Sequence, residues 1–562
     1  MSRAVRVTTE VAAVDRSFDY LVPDAMAMPG LGDRVRMNFN GRSVRGWVTG
    51  TNVVSERELK PVAKLLGFGP PPELVALLEW AAWRWAAPLS RFLLAATPGR
   101  LVHTLPTAPM KAPLSMPITE HFAPGVHQVS PARDPLAIIL SAYEQTREMP
   151  GSLLVLVPTE GWAQRLRGRL EQRGLPVACG DDQWDRMRAT WPVIIGTRGD
   201  ALAPTSRLAG VVIVDADDDA FTSESSPTWN ALVMAHERVT RDGGLLWATS
   251  VLPSPQLLAL GDLHTSDHTP WPHIEVVDRR NRDPHEGVLA EPALRQAHRA
   301  LSQGDGVAVA VILQRLGTGR LLSCRSCGEL ARCAVCHQPE QEVDGMLSCA
   351  ERHNIRENFC QLCGATNLRK VQTGVTTLAR DISLQLSQPV TEVTASTATD
   401  PTTRVVVGTE AVFSRLRRCP VVIFVDFDQY ILAPRASAHR QAVSAVTRAA
   451  RLVVASGDAA GTVIVQTRRS DALITALMSG EVSAIRDEDV VTAEVLGLPP
   501  YGASAEISGD GAEGFVASVP MAGLRRSESM GTVTLHAASV DALCNALAQA
   551  TRTGDRLRLA VS

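Results

Sequence analysis

Seven of the ten cysteines of this chain lie within one segment of 40 residues. The candidate ligands follow the pattern Cys324-x2-Cys327-x5-Cys333-x2-Cys336-x12-Cys349-x3-His353-x6-Cys360-x2-Cys363. A CxxC pair lets two thiolates reach one ion at about 2.3 Å, and four such ligands complete a tetrahedral zinc shell. The eight side chains therefore predict two structural zinc ions per chain. Disulfides and an iron–sulfur cluster are the alternatives, although iron–sulfur proteins use different cysteine spacings.

Length and composition limit the remaining possibilities. A chain of 562 residues is too long to fold around one hydrophobic core, so its length predicts three to five domains. The N-terminus lacks a signal-peptide pattern and no apolar run approaches membrane-spanning length, so we expect a cytoplasmic protein without a membrane partner. A net charge of −3 excludes an overall basic surface, so any contact with DNA has to be local.

Lysine is unusually scarce. The chain has four lysines among 56 basic residues, and none of the four follows a glycine. A Walker A loop needs Gly-Lys-Ser/Thr, with the lysine on the nucleotide phosphates and the hydroxyl on magnesium. The sequence therefore predicts that a nucleotide-binding loop of this type is absent.

Hydrophobic patterning predicts an α/β protein with several domains. Buried parallel strands alternate with amphipathic helices in two successive stretches, and the second stretch carries the cysteine-rich segment. Two such lobes indicate a two-lobe motor architecture. The predicted units are a β-rich N-terminal domain at 1–105, a proline-rich linker at 106–117, lobe 1 at 118–300, lobe 2 at 301–468 with the zinc-binding insertion at 322–366, and a C-terminal α+β domain at 469–562.

A predicted hairpin in the N-terminal domain carries a local cluster of positive charge. Its strands alternate around Asn40-Gly41, a typical turn dipeptide. The candidate DNA contacts are Arg34, Arg36, Arg42 and Arg45. Arginines for phosphates beside aromatic side chains for stacking suit single-strand or junction binding. The alternative for the aromatics, favoured for Phe18 and Trp47, is that they form the core of the domain.

Short motifs in a fixed order carry a resemblance over most of the chain. They are FDYLVP at 18–23, GDRV at 32–35, the tryptophans at 80–85, GTR at 196–198, LQR at 313–315, VGTE at 407–410 and LGLPPY at 496–501. With the cysteine pattern, these motifs resemble the PriA family, the primosomal protein N′ of bacterial replication restart. The resemblance implies two RecA-like helicase lobes behind an N-terminal domain that binds the 3′ end of DNA. It also implies nested metal pairing, with the outer cysteines sharing one ion and the inner ligands the other.

Departures from the family pattern lie at its helicase motifs. The P-loop region reads GVHQVSPA at 125–132, the DEEH box reads DADD at 215–218, and the arginine-finger motif reads TRAAR at 447–451. Ala216 stands where the family has the glutamate that activates water. A winged-helix domain also has no room in the linker. Because phosphoryl transfer needs both a phosphate clamp and a positioned water, these changes predict helicase lobes that are degenerate and a protein that is not an enzyme, with no catalytic residues.

Three functions are compatible with this resemblance. The favoured one is a replication-restart scaffold that binds forked or branched DNA and loads other replication proteins. The alternatives are an ATP-dependent 3′–5′ DNA helicase with a non-standard nucleotide site, and a zinc protein that has acquired a different partner. The implied partners are forked DNA, primosome and replicative-helicase-loading proteins, and single-stranded-DNA-binding protein.

Four residues have two interpretations each. Asp215 could hold magnesium, but the sequence favours a solvated acidic turn. Arg448 and Arg451 could be remnants of arginine fingers, although an exposed cationic helix face is the preferred interpretation. His353 stands beside the position of a missing family cysteine, so ligation is favoured over a merely exposed histidine.

Overall fold

The computed structural model describes most of the chain. It describes every residue except 1–2, 12–15, 56–57, 266–268, 281–286, 305, 315–321, 336–338, 344, 350–352, 371–374, 395–396, 398–400, 433–437, 455–460, 530 and 553–556. Within the described part, no helix combines the length and the hydropathy that a membrane span requires.

An antiparallel sheet forms the N-terminal unit, with strand order β2-β1-β4-β3-β5. Its strands are β1 (Ala4–Thr9), β2 (Ser17–Leu21), β3 (Arg34–Phe39), β4 (Arg42–Thr51) and β5 (Val62–Gly67). The predicted hairpin is confirmed: Asn40 and Gly41 have φ of 48° and 79°, the left-handed values that a two-residue turn requires. Val35 and Met37 point into the core on one face, so Arg36 between them points to solvent.

Two helices connect this sheet to the rest of the molecule: α1 (Pro72–Arg84) and α2 (Leu89–Ala95). Both begin after or at a proline, which suits a helix start because its missing N–H is not needed there. Residues 96–124, all of them described, contain no helix or strand.

A parallel sheet with order β12-β6-β11-β10-β7-β9-β8 forms lobe 1. Its strands are β6 (Gly125–Gln128), β7 (Ser152–Leu156), β8 (Val177–Ala178), β9 (Val193–Gly196), β10 (Leu208–Ile213), β11 (Leu245–Ser250) and β12 (Leu263–His264). The accompanying helices are α3 (Pro135–Thr146), α4 (Glu160–Glu171), α5 (Trp184–Arg188), α6 (Ala231–Asp242) and α7 (Pro255–Leu258). β7, β9 and β10 are buried along their whole length, because helices cover both faces of the sheet.

Lobe 2 begins with β13 (Ile274–Asp278), α8 (Glu291–Leu301) and β14 (Val309–Ile312). β13 pairs with a strand of the second sheet, so the two sheets divide before the predicted boundary at residue 300. The cysteine-rich insertion follows β14. Its strands are β15 (Leu322–Cys324), β16 (Gln341–Val343), β17 (Met346–Ser348), β18 (Ile355–Glu357) and β19 (Leu368–Lys370).

After the insertion the chain completes the second parallel sheet, whose order is β13-β23-β22-β14-β21-β20. Its remaining elements are α9 (Val375–Leu386), β20 (Val390–Val393), β21 (Val405–Gly408), α10 (Ala411–Arg415), β22 (Val421–Phe424), α11 (Asp428–Ile431), α12 (Ala438–Val454) and β23 (Thr462–Thr467). The predicted fold of two RecA-like lobes with an inserted cysteine-rich segment is confirmed.

The C-terminal part contains two helices followed by an antiparallel sheet of order β25-β26-β24-β27. Its elements are α13 (Ala472–Ser479), α14 (Ser483–Leu496), β24 (Ala503–Ser508), α15 (Ala512–Ala517), β25 (Leu524–Ser529), β26 (Thr532–Ala537), α16 (Val540–Gln549) and β27 (Arg558–Val561). One hydrophobic core includes side chains of α1, α2, lobe 1 and this C-terminal sheet. The N-terminal helices, lobe 1 and the C-terminal sheet are therefore packed together as one body.

Candidate functional sites

A row of basic side chains crosses the N-terminal sheet. Arg36 on β3 lies opposite Arg45 on β4 and, on its other side, opposite Lys64 on β5. All three side chains are exposed, and Arg42 is exposed at the nearby hairpin turn. Arg45 forms an ion pair with Glu10, at 2.6 Å from its Nε. Like charges placed directly opposite repel each other, so this row favours an anionic partner such as a phosphate backbone.

Arg34 does not belong to this surface. Its side chain is 3% exposed, and its Nη1 donates hydrogen bonds to the carbonyl oxygens of Pro98, at 3.2 Å, and Arg100, at 3.1 Å. Burial lowers the pKa of Arg34. The expectation that Arg34 contacts DNA is therefore corrected, since this arginine fastens the chain after α2 to the sheet. Strand alternation alone could not show that the segment around residue 99 covers this position.

The sequence did not identify Lys64 as a member of the basic row, because the pairing of β5 with β3 cannot be read from the sequence.

The aromatic side chains of the domain are mainly internal, which is the interpretation that the sequence favoured for Phe18 and Trp47. Trp47 is 1% exposed and donates its Nε1–H to Thr97 Oγ1 at 3.0 Å. The Phe18 ring packs against the Phe39 ring with 4.9 Å between centroids.

A second candidate site lies between the two lobes. Arg451 at the end of α12 donates from Nη2 to Asp215 Oδ1, at 2.7 Å, across the cleft that separates lobe 2 from lobe 1. Asp215 follows β10, has φ of 53°, and its side chain is 12% exposed. Burial raises the pKa of Asp215, although the charge of Arg451 acts in the opposite direction. Asp215 is therefore an interlobe ion-pair partner, and its interpretation as a solvated acidic turn is wrong.

Arg448, one turn earlier on α12, makes the companion contacts. It donates to both carboxylate oxygens of Asp218 in lobe 1, with Nε to Oδ2 at 2.8 Å, and from Nη1 to Glu410 Oε2 at 2.7 Å. Burial alone would lower the pKa of Arg448, but Asp218 and Glu410 outweigh it and raise the pKa. Arg448 and Arg451 thus bind lobe 1, which corrects their interpretation as an exposed cationic face.

A cavity of about 360 Å³ adjoins these ion pairs. Its walls come from the loop after β6, the start of α4 and, in lobe 2, the region of α10 and the end of α12. The N-terminus of α3 is capped by Asp134, whose carboxylate accepts from Leu136 N at 3.0 Å and from Arg169 at 2.9 Å. The helix end that follows the first strand of lobe 1 is therefore occupied by a side chain of the protein itself. Ala216 is buried and contributes no acidic group.

The insertion gathers the predicted metal ligands in two clusters. One contains Cys324, Cys327, Cys360 and Cys363, with Sγ–Sγ distances of 3.5 Å between Cys324 and Cys363 and between Cys327 and Cys360. The candidate ligand atoms within each cluster lie no more than 4.8 Å apart. These four cysteines are the outer set of ligands that, by the family resemblance, share one ion.

Cys333, Cys349 and His353 form the other cluster, in which Cys349 Sγ lies 3.7 Å from His353 Nδ1. The predicted fourth member, Cys336, lies outside the described residues. Thiolates and an imidazole at such separations suit a soft metal ion, so both clusters can hold one.

The fold has two RecA-like lobes, a cysteine-rich insertion and an N-terminal antiparallel sheet that carries the exposed basic row. The family model of the PriA 3′ DNA-binding domain matches residues 5–98. The replication restart protein PriA of Haemophilus influenzae is 24% identical over 422 residues, which cover 65% of this chain and 55% of that protein. The probable replication restart protein PriA of Mycobacterium tuberculosis is 28% identical over 403 residues, covering 58% of each. These comparisons support membership of the PriA family of replication restart proteins.

The chain spans just over half the length of these curated relatives. Among solved structures, a variant of S. cerevisiae Dbp5 bound to RNA and ADP BeF3 is similar with a TM-score of 0.35 and 11% identity, over 75% of this chain and 98% of the other. At this TM-score the similarity is too weak to support a conclusion about function.

The prediction that the chain is not an enzyme is wrong. The comparisons relate it to the PriA replication restart proteins, which are DNA helicases, and they show no loss of activity. The altered motifs change the side chains available for nucleotide chemistry, but such substitutions alone do not exclude enzymatic activity.

Proposed function

We propose that this protein binds the 3′ end of DNA at forked or branched replication structures and serves there as a platform for loading other replication proteins. The observation that carries the proposal is the exposed row of Lys64, Arg36 and Arg45 within the 3′ DNA-binding domain. Side chains spaced across neighbouring strands can follow successive phosphates of one DNA strand. The primosome and replicative-helicase-loading proteins, with single-stranded-DNA-binding protein, are the proposed partners.

The proposed organisation follows from the same family relation. We assign DNA-end binding to 1–105, the linker to 106–117, the lobes to 118–300 and 301–468, and the terminal domain to 469–562, with β13 and α8 contributing to lobe 2. We also propose a cytoplasmic location, because thiols gathered in metal-ligand geometry suit a reducing compartment.

Replacing Arg36, Arg42 and Arg45 with alanine should weaken fork binding and flatten its salt dependence. Each lost phosphate contact reduces the slope of log K against log[salt] by about 0.7 to 0.9. Fluorescence anisotropy with a labelled fork at several salt concentrations measures both quantities. Arg91→Ala, which removes an exposed arginine of α2 outside the row, serves as the matched control. Unchanged affinity and slope in the triple variant would exclude this surface as the DNA contact.

Nucleotide-driven 3′–5′ unwinding is the second candidate activity. It is favoured by the position of Asp215, Arg448 and Arg451, which meet across the interlobe cleft. Asp215 could take part in holding magnesium, and the two arginines could stabilise charge on a transferred phosphoryl group.

If this activity is present, fork DNA should stimulate ATP hydrolysis, and Arg451→Ala should reduce the rate by about 10³-fold, as expected for an arginine finger. A coupled phosphate-release assay measures the rate, with Arg167→Ala as a control on the outer side of α4, where Arg167 pairs with Glu171. Hydrolysis that is indifferent to both DNA and Arg451 would contradict this candidate.

The two clusters of the insertion are proposed to bind one Zn²⁺ each. Cys324, Cys327, Cys360 and Cys363 would hold one ion, and Cys333, Cys336, Cys349 and His353 the other. The four thiols of the first cluster match the donor set and the number of ligands of a closed structural site. When bound, zinc would fix the short strands of the insertion, which has only a small apolar core of its own among the described residues.

Cys324→Ser should reduce the zinc content from two ions per chain to about one, because a tetrahedral shell that loses a thiolate binds its metal far more weakly. Inductively coupled plasma mass spectrometry of the purified protein measures the content. Cys544→Ser, at a lone buried cysteine of α16, should retain both ions. Two ions in the Cys324 variant would contradict the assigned ligands.

A further inference from the structure

The helix α14 in the C-terminal part buries little of its surface. Its buried side chains are Ile485 and Ala493, which lie on one side of the helix. The opposite side faces solvent, where Val491 is 60% exposed and Val495 is 78% exposed. A helix of a globular protein ordinarily directs its apolar stripe toward the core, so apolar side chains on the outer face mark a surface that is available for a partner.

The outer face of α14 has the spacing of a helix-packing seam. Its members are separated by four, three and four residues, and all of them are exposed: Ala484, Glu488, Val491 and Val495. This alternation places them along one line of the helix, at the positions named a and d in a coiled coil. Leu496 and Tyr501 add exposed apolar surface near the end of the helix. The surface therefore suits a second helix that lies along α14.

Acidic side chains surround this seam. Glu488 lies within it, and Asp487 and Glu494 occupy the flanking positions named g. The only basic residue of the helix is Arg486, which is mostly buried and pairs with Asp487 at 2.8 Å. Within the described residues, Glu488 and Glu494 have no ion-pair partner. The seam thus combines apolar side chains with uncompensated negative charge.

Polar contacts on the inner side fix the helix in place. Arg486 Nη1 donates to Gln128 Oε1 of lobe 1 at 2.7 Å. Asp489 Oδ2 accepts from Arg440 Nη1 of α12, in lobe 2, at 3.4 Å. Because both lobes hold the helix, its outer face is presented to a partner in a defined position, which lowers the entropic cost of binding.

The charge of the seam selects among possible occupants. DNA is disfavoured, since its phosphates would meet carboxylates. A second copy of this chain is also disfavoured. In a parallel pair Glu488 would face its own equivalent, and in an antiparallel pair Asp487 would face Glu494 of the other copy. A helix that carries lysine or arginine beside its apolar stripe has the complementary charge.

We propose that α14 docks a basic amphipathic helix of a partner protein, through Val491 and Val495 at the seam and through the carboxylates of Glu488 and Glu494. Apolar side chains of the partner would pack on the two valines, and its basic side chains would pair with the two glutamates. This surface deepens the proposed role as a platform for other replication proteins, and its biological meaning rests on that role.

Fluorescence anisotropy with a designed helical peptide tests the surface in the absence of DNA. The labelled peptide has leucine at positions a and d and lysine at positions e and g, where like charges oppose pairing of the peptide with itself. It should bind the full-length protein. A peptide of the same composition in scrambled order lacks the apolar stripe, so it should bind at least about tenfold more weakly.

Substitutions at exposed positions separate the two contributions. The double variant Val491→Ser with Val495→Ser should weaken binding at least about tenfold, because it removes the apolar contacts. The double variant Glu488→Lys with Glu494→Lys should prefer a peptide with glutamate at positions e and g, because the charge of the seam is reversed. Leu384→Ser, at an exposed leucine of α9, is the matched control and should bind as the unmodified protein does.

Failure of the lysine peptide to bind, or equal binding by all variants or by the scrambled peptide, would overturn the proposal. Sedimentation velocity provides a further check: self-association that is lost in the double serine variant would assign the face to a second copy instead. Fork binding should be the same in this variant as in the unmodified protein, and its loss would assign the face to DNA. If the unmodified protein binds the peptide but no fork, only the DNA proposal fails.

Discussion

The packing around Trp85 is the interaction on which the arrangement of the other units depends. Trp85 is 2% exposed, and its ring contacts those of Trp80, Phe92 and, in lobe 1, Trp229. The C-terminal helix α16 closes the same region, since Cys544 Sγ donates to Arg84 O at 3.2 Å. Large aromatic side chains bury enough apolar area to hold separate sheets together. The N-terminal sheet, with its basic row, therefore keeps a fixed position relative to lobe 1.

Lobe 2 is attached in a different way. Val251 and Leu252 of lobe 1 belong to the core of lobe 2, but the face next to them is held by Arg448 and Arg451 with their carboxylate partners. Ionic contacts depend on the charges around them far more than apolar contacts do. The contact between the lobes therefore depends more on charge than the contact of the N-terminal helices with lobe 1, which is apolar.

The sequence predicted the fold closely where local pattern determines it. The β-branched runs predicted both parallel sheets, and the Asn40-Gly41 turn predicted the hairpin. The cysteine spacing predicted two metal clusters, whereas their nested grouping came from the family resemblance. Long-range packing was beyond its reach. Arg34 and Arg36 occupy equivalent alternating positions of one strand, but only the covering segment near residue 99 separates a buried arginine from an exposed one. Arg451 and its partner Asp215 lie 236 residues apart in the sequence, so no local pattern joins them.

Binding of a DNA fork that carries a 3′ end at its branch is the most direct measurement of the central claim. Affinity for this fork is compared with that for an identical fork whose 3′ end is moved away from the branch by a single-stranded gap. The account predicts at least about tenfold tighter binding to the first fork, equivalent to about 1.4 kcal/mol, because stacking and phosphate contacts at the end are lost in the second. Equal affinity for both forks would contradict the claim that this protein recognises a 3′ end at branched DNA.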